Sequence, residues 1–133
     1  HYVFNHSVSH KDLTKLSYEG VRKELSAPGV VTTFGRAPYG AHNATVDKAY
    51  ASKGMKLWLW NVDTNDWSGK SQAQVVDYVV ANAKSGNTVL MHMQWNGFNK
   101  TAIDKMKTGL SKKGIGVCRN TGAVKAKSTT VEC

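Results

Sequence analysis

The chain has 133 residues, 41% of them hydrophobic and 20% charged, which suits one folded domain with its own core and excludes a disordered chain. No apolar run approaches the ~18 residues of a membrane span, and the opening His1-Tyr-Val-Phe4 lacks a secretory leader pattern, so a mature domain without a membrane partner is expected. Eighteen Lys and Arg against nine Asp and Glu give a net charge of +9, which favours acidic partners, although lysines scattered along the chain serve solubility equally well. No basic stripe with interleaved aromatic residues stands out. A basic nucleic-acid-binding protein therefore remains only a lesser alternative, and no nucleic acid partner is expected.

In chain order, Tyr2–Asn5 is a short β-prone run. Lys11–Ser26 carries Leu13, Leu16, Val21 and Leu25 at roughly helical spacing and stops at Pro28-Gly29. Val30–Phe34 is β-branched and reads as a strand. Asn43–Lys53 reads as a short helix ended by Gly54, and Met55–Trp60 as a strand. Gln72–Lys84 is a helix with Val75, Val76, Val79 and Val80 in its apolar stripe, capped by Ser71 and followed by Gly86. Thr88–Met93 is an apolar strand interrupted only by His92. Lys100–Lys113 is a helix ending at Gly114, and Ile115–Cys118 a last strand. Alternating β and α units predict an α/β fold, an incomplete (deformed) β/α barrel of about five parallel strands with outer helices. The domain is expected to span residues 1–119, with 120–133 a polar C-terminal tail. Cys118 and Cys133 lack metal-site spacing; in an oxidising compartment they pair and staple the tail, and in a cytosolic one they stay reduced.

Four polar clusters follow the expected strands, the face on which parallel β/α folds bind ligands. They are His6-Ser-Val-Ser-His10, Arg36-Ala-Pro-Tyr-Gly40, Asp63-Thr-Asn-Asp66-Trp67 and Leu90-Met-His92. His6 and His10, four apart, would face one way on a helical turn and could share a metal ion. Each cluster also has an ordinary reading: surface or capping histidines, a hydrogen-bonded core histidine at His92, and turn-capping by Asp63 and Asp66. Asn5-His-Ser, Asn43-Ala-Thr and Asn99-Lys-Thr are glycosylation sequons, which matter only to a chain made in a eukaryotic secretory pathway.

In their order and spacing, the clusters resemble the motifs of the NodB-homology polysaccharide deacetylases, metal-dependent carbohydrate esterases acting on chitin, peptidoglycan and xylan. His6–His10 is similar to the family's second motif, Arg36–Gly40 to its third, Asp63–Trp67 to its fourth and Leu90–His92 to its fifth. The resemblance implies that His6 and His10 are metal ligands, to zinc or another divalent metal such as cobalt. It makes the Tyr39 amide an oxyanion donor, Arg36 the residue orienting the catalytic base, and His92 the general acid, tuned by Asp66. Tyr39, Trp67 and Leu90 would meet the substrate, an acetylated polysaccharide or cell-wall glycan. The chemistry is coherent: a metal activates water, a backbone N–H holds the oxyanion, and a carboxylate-paired imidazole, biased to its charged form, protonates the leaving group.

The family's first motif, an Asp-Asp pair supplying the base and a third ligand, should precede His6, and His1 is the first residue here. Asp12, Asp47 and Asp63 are the nearest substitutes, none in a matching context. The expectation is a processed fragment or a chain that has shed the motif, impaired in deacetylation as it stands. The alternative is a non-catalytic carbohydrate-binding remnant with a groove lined by Tyr39, His42, Trp67 and Trp95. The implied substrates place the chain outside the cell, as a secreted protein, and leave its oligomeric state open.

Overall fold

The computed structural model describes residues 3–29, 32–120 and 131–132. These fall into two compact units, residues 3–59 with 119–120 and 131–132, and Trp60–Cys118.

In the first unit, β1 (Phe34–Gly35) pairs in parallel with β2 (Lys56–Leu57), with Phe34 opposite Lys56. On the other edge of β1, Asn5 forms a parallel bridge to Gly35. The expected strand Tyr2–Asn5 is thus reduced to that bridge, and Met55–Trp60 pairs over Lys56–Leu57; Tyr2, Val30 and Val31 lie outside the described residues. The expected single helix Lys11–Ser26 is corrected to a 3-10 turn, Leu13–Lys15, followed by α1 (Tyr18–Glu24). The break has a local cause. Asp12 caps the turn through the Thr14 amide, Leu16 is extended, and Ser17 caps α1 by accepting from the Gly20 amide. Small polar residues that bond nearby backbone start helices rather than continue them. α2 (Ala44–Ser52) begins at its cap Asn43, close to the expected bounds. Leu13, Val21, Leu25, Ala37, Val46, Ala49 and Tyr50 form the core beneath α1 and α2. Gly35 is required there: a Cβ would lie 2.1 Å from Tyr50 Cε1.

In the second unit, β3 (Val62–Asp63) pairs in parallel with β4 (Val89–Leu90). α3 (Gln72–Asn82) opens with a capping box in which Ser71 and Gln74 satisfy each other's amides. α4 (Lys100–Ser111) opens at Asn99, whose Oδ1 accepts from the Ala102 amide. Val62, Val75, Val76, Val79, Ala83, Ala102, Met106 and Leu110 form the core. Gly109 lets α4 approach α3, since a Cβ would lie 2.6 Å from Val80 Cγ2.

Two strand expectations are corrected in this region. β3 includes Asp63, the first residue of the polar cluster expected to follow a strand, and Ile115–Cys118 forms no strand. The Ile115 amide is spent on the Leu110 carbonyl at the end of α4, with Gly114 at φ 73°, and Gly116 leaves too short an apolar run. β5 (Arg119–Asn120) instead pairs antiparallel with β6 (Val131–Glu132). The described sheet pairs are two parallel and one antiparallel, a mixed α/β arrangement. The expected bridge to Cys133 and most of the expected tail lie outside the described residues. Among the described residues, no helix is long and apolar enough to cross a membrane.

Candidate functional site

The first cluster is built on the segment leading to β1. Asn5, 2% exposed, is its fulcrum: its amide donates to the Phe34 carbonyl at 3.0 Å, and its carbonyl accepts from the Arg36 amide at 2.8 Å. The Asn5 side chain donates to the Leu25 carbonyl (2.9 Å) and accepts from the Ser7 amide (3.0 Å). Ser7 and His10 are left-handed, at φ 67° and 54°, and the Ser7 hydroxyl accepts from the His10 amide. Ser9 is fixed by Glu24, whose two carboxylate oxygens accept from its amide (2.9 Å) and hydroxyl (2.8 Å). Those two bonds hold the Glu24 carboxyl below the usual glutamate pKa.

The two histidines therefore meet, but not on the helical turn that their spacing suggested. Their rings stand edge to face, centroids 4.8 Å apart, and both are exposed. His6 Nδ1 lies 2.6 Å from the Arg36 carbonyl oxygen. A carbonyl only accepts, so Nδ1 is the donor, the arrangement found when imidazole binds a metal through Nε2. The His10 ring also stands edge to face with Tyr39, centroids 4.9 Å apart.

Tyr39 occupies the 3-10 turn Pro38–Gly40 in the left-handed region, φ 61°, with its side chain 70% exposed. The turn is closed by the Gly40 amide to Ala37 and the Ala41 amide to Pro38, bonds that do not involve the Tyr39 amide. Arg36 is half-buried. Its Nε donates to the Trp58 carbonyl at 3.0 Å, its guanidinium lies 5.6 Å from the Phe4 ring centroid, and burial lowers its pKa. Phe4, Phe34 and Trp58 pack around one another at 5.5–5.6 Å between centroids, which fixes this side of the cluster.

The second cluster belongs to the second unit. Asp66, 2% exposed, heads the 3-10 turn Asp66–Ser68 after Asn65, which is left-handed at φ 48°. Its Oδ2 accepts from the His92 amide at 2.6 Å, and its Oδ1 lies 2.8 Å from His92 Nδ1. Nδ1 is therefore the donor, and Nε2 points its chemistry away from the carboxylate. The Thr64 hydroxyl donates to the Leu90 carbonyl (2.8 Å) and Lys70 Nζ to the Thr64 carbonyl (2.8 Å), tying the Asp66 turn to β4. Trp67 is 58% exposed beside Asp66, and Leu90 is half-buried in β4.

The three acids considered as substitutes are engaged elsewhere. Asp12 accepts from the Thr14 amide and hydroxyl, Asp47 pairs with His42 at 2.8 Å, and Asp63 accepts from the Asn65 amide. Among the described residues, no group of three or more His, Cys, Asp or Glu is disposed to hold a metal ion. His6 and His10 thus offer two nitrogen donors of a type suited to zinc, half of a tetrahedral set. Sequence reasoning missed Asn5 and Glu24, which build the histidine loop. Asn5 carried only its sequon as a signal, and nothing in the sequence pairs Glu24 with Ser9.

A family model described as polysaccharide deacetylase matches residues 1–58. The bifunctional xylanase/xylan deacetylase of Cellvibrio japonicus is 32% identical over 96% of this chain and 21% of its own length. A family 4 carbohydrate esterase from Streptomyces lividans, solved in complex with acetate, superposes with a TM-score of 0.75 at 31% identity, covering 86% of this chain and 63% of that one. A CE4-family pseudoenzyme from Bacillus anthracis superposes with the same TM-score of 0.75 at 27% identity, over 86% of this chain and 43% of that one. The chain thus spans about a fifth of the length of its xylan-active relative.

Proposed function

Because the chain belongs to the NodB-homology polysaccharide deacetylase family, we propose that it serves the hydrolytic removal of acetyl groups from a polysaccharide, with His6 and His10 as metal ligands and His92 as general acid. The observation that carries this reading is the Asp66–His92 pair: a buried carboxylate holds Nδ1 and the backbone of one histidine, leaving Nε2 for proton transfer. Zinc or cobalt, when bound, supplies a Lewis acid for the acetyl carbonyl and for water. His6 Nε2 and a His10 ring nitrogen would hold it. The Tyr39 amide donates a hydrogen bond to the developing oxyanion, and His92 Nε2 delivers the proton to the departing amine or alcohol. Trp67 and Leu90 enclose the acetyl methyl, and Arg36 fixes the His6 loop through its own backbone. Acetylated xylan, chitin and peptidoglycan are the substrates to compare.

A polypeptide of these 133 residues binds zinc weakly in this reading, because two imidazoles leave the other positions to water. Its deacetylation runs at least about a hundredfold below that of an intact relative, as removal of a general base costs on the order of 10²–10⁴ in rate. We also place the chain outside the cell, with Cys118 and Cys133 bridged, which intact mass with and without reductant tests. The pseudoenzyme similarity favours a second reading, glycan binding without turnover. Acetate release with excess Zn²⁺ or Co²⁺ decides between them. Slow release abolished by His92→Ala supports the deacetylase; retention on insoluble glycan without acetate supports the binder. Fast turnover overturns the impairment.

A further inference from the structure

The ladder between β3 and β4 opens at its last rung, and each backbone group released there has a side-chain partner. Bonds in a parallel pair are evenly spaced along the strands. The Val62 amide to the Thr88 carbonyl (3.1 Å) should thus be followed by the Thr64 amide to the Leu90 carbonyl, and then by the His92 amide to the Thr64 carbonyl. The first of these is already long, at 3.4 Å, and the second is replaced. The Leu90 carbonyl takes the Thr64 hydroxyl at 2.8 Å, the Thr64 carbonyl takes Lys70 Nζ at 2.8 Å, and the His92 amide goes to Asp66 Oδ2 at 2.6 Å.

We propose that Thr64 and Lys70 are positioning residues for proton transfer by His92: they hold this rung open, so that the Asp66 carboxylate, not a strand carbonyl, receives the His92 amide. The role in proton transfer rests on the deacetylase reading of His92. Thr64 is 0% exposed, so its carbonyl needs a donor. Lys70 supplies one; without it, the His92 amide is the donor that the ladder offers. Lys70 reaches back from the foot of α3 with its ammonium 4.5 Å from the Tyr78 ring centroid, and closes the loop that carries Asp66. Asp66 and His92 stand equally far beyond Thr64 and Leu90, so the Thr64 hydroxyl sets the separation from which both depart. A His92 amide returned to Thr64 would leave Asp66 its contact to Nδ1 alone, and the ring would lose the bond that orients the carboxylate toward it.

The test reads the His92 ring nitrogens of the whole chain by nitrogen-15 NMR, with the ring in its neutral form. The unaltered chain should show predominantly the Nδ1–H tautomer. Thr64→Val keeps the branched shape and removes the hydroxyl, and Lys70→Met keeps the stem and removes the ammonium. Each should lower the ratio of Nδ1–H to Nε2–H tautomer by about fivefold, the worth of one hydrogen bond. Thr64→Ser and Lys70→Arg, which retain the donors, should keep the ratio. In acetate release, Thr64→Val and Lys70→Met should lower kcat by about tenfold or more with KM unchanged, as suits a displaced proton donor. A ratio unmoved by Thr64→Val or by Lys70→Met overturns the proposal, and so does a loss in Thr64→Ser that Thr64→Val does not share, which marks packing instead. The expected NMR result without acetate release from any form overturns the deacetylase reading, and with it the role in proton transfer, while the open rung stands.

Discussion

In residues 3–59, His6 and His10 are exposed and held indirectly, by the loop that carries them: left-handed Ser7 and His10, the buried Asn5 side chain, the Ser7 hydroxyl, Glu24 on Ser9, and a backbone carbonyl on His6 Nδ1. In residues 60–118, His92 is fixed by a side chain, a buried carboxylate that takes both its amide and its ring nitrogen. Under the proposed function the first arrangement serves to hold a cation and the second to transfer a proton.

The sharpest way to break this division is to exchange the losses. His10→Ala should lower zinc or cobalt affinity by about a hundredfold or more, and His92→Ala should leave it unchanged, read by calorimetry or by cobalt absorption. If His92→Ala weakens metal binding equally, the two clusters are not functionally distinct. Next in size is Asp66→Ala, which strands the His92 amide and should cost about 1–3 kcal/mol in denaturant unfolding. Hydrogen exchange should then rise in residues 60–118 and not around Asn5.

A smaller effect concerns the core under the first cluster. Burial raises the Tyr50 phenol to about 12, and among the described residues its hydroxyl has no hydrogen-bond partner. A folded value above the unfolded one stabilises the fold fully below about pH 10, and that stability drains away as pH rises toward the folded value. Tyr50→Phe should flatten this alkaline loss and raise stability at neutral pH by about 1 kcal/mol. Smallest is the acid arm: Glu24, depressed by Ser9, supports the loop above the ordinary glutamate pKa and releases it as pH falls through the lower folded value. Glu24→Gln should shallow the fall in melting temperature between about pH 5 and pH 3.

Three of the four expected helices were legible within a residue or two, with Ser71 read as a cap, while Lys11–Ser26 was not, since the Asp12 and Ser17 caps divide it. The strands were less legible. Runs such as Met55–Trp60 and Thr88–Met93 have the right composition, yet pairing covers only Lys56–Leu57 and Val89–Leu90, a length set by partners rather than propensity. β3 was invisible because Asp63 belongs to a turn by composition and to a strand only opposite Leu90. At the site, His6 and His10 were found by a spacing argument whose geometry was wrong, since left-handed Ser7 and His10 bring the rings together without a helix. Asp66 and His92 lie 26 positions apart, beyond any local pattern, and only the family resemblance joined them.

The buried Asn5 side chain also sets a condition on how the protein can be manufactured. Its Nδ2, which donates to the Leu25 carbonyl, is the atom an oligosaccharyltransferase would modify in the sequon Asn5-His-Ser7. A sugar there replaces one of its hydrogens with a group larger than the space available to a residue 2% exposed. Material from a host that glycosylates before folding would therefore lose the loop that aligns His6 and His10. A bacterial host, or Asn5 protected by changing Ser7 to alanine at the cost of the His10 amide bond, avoids it.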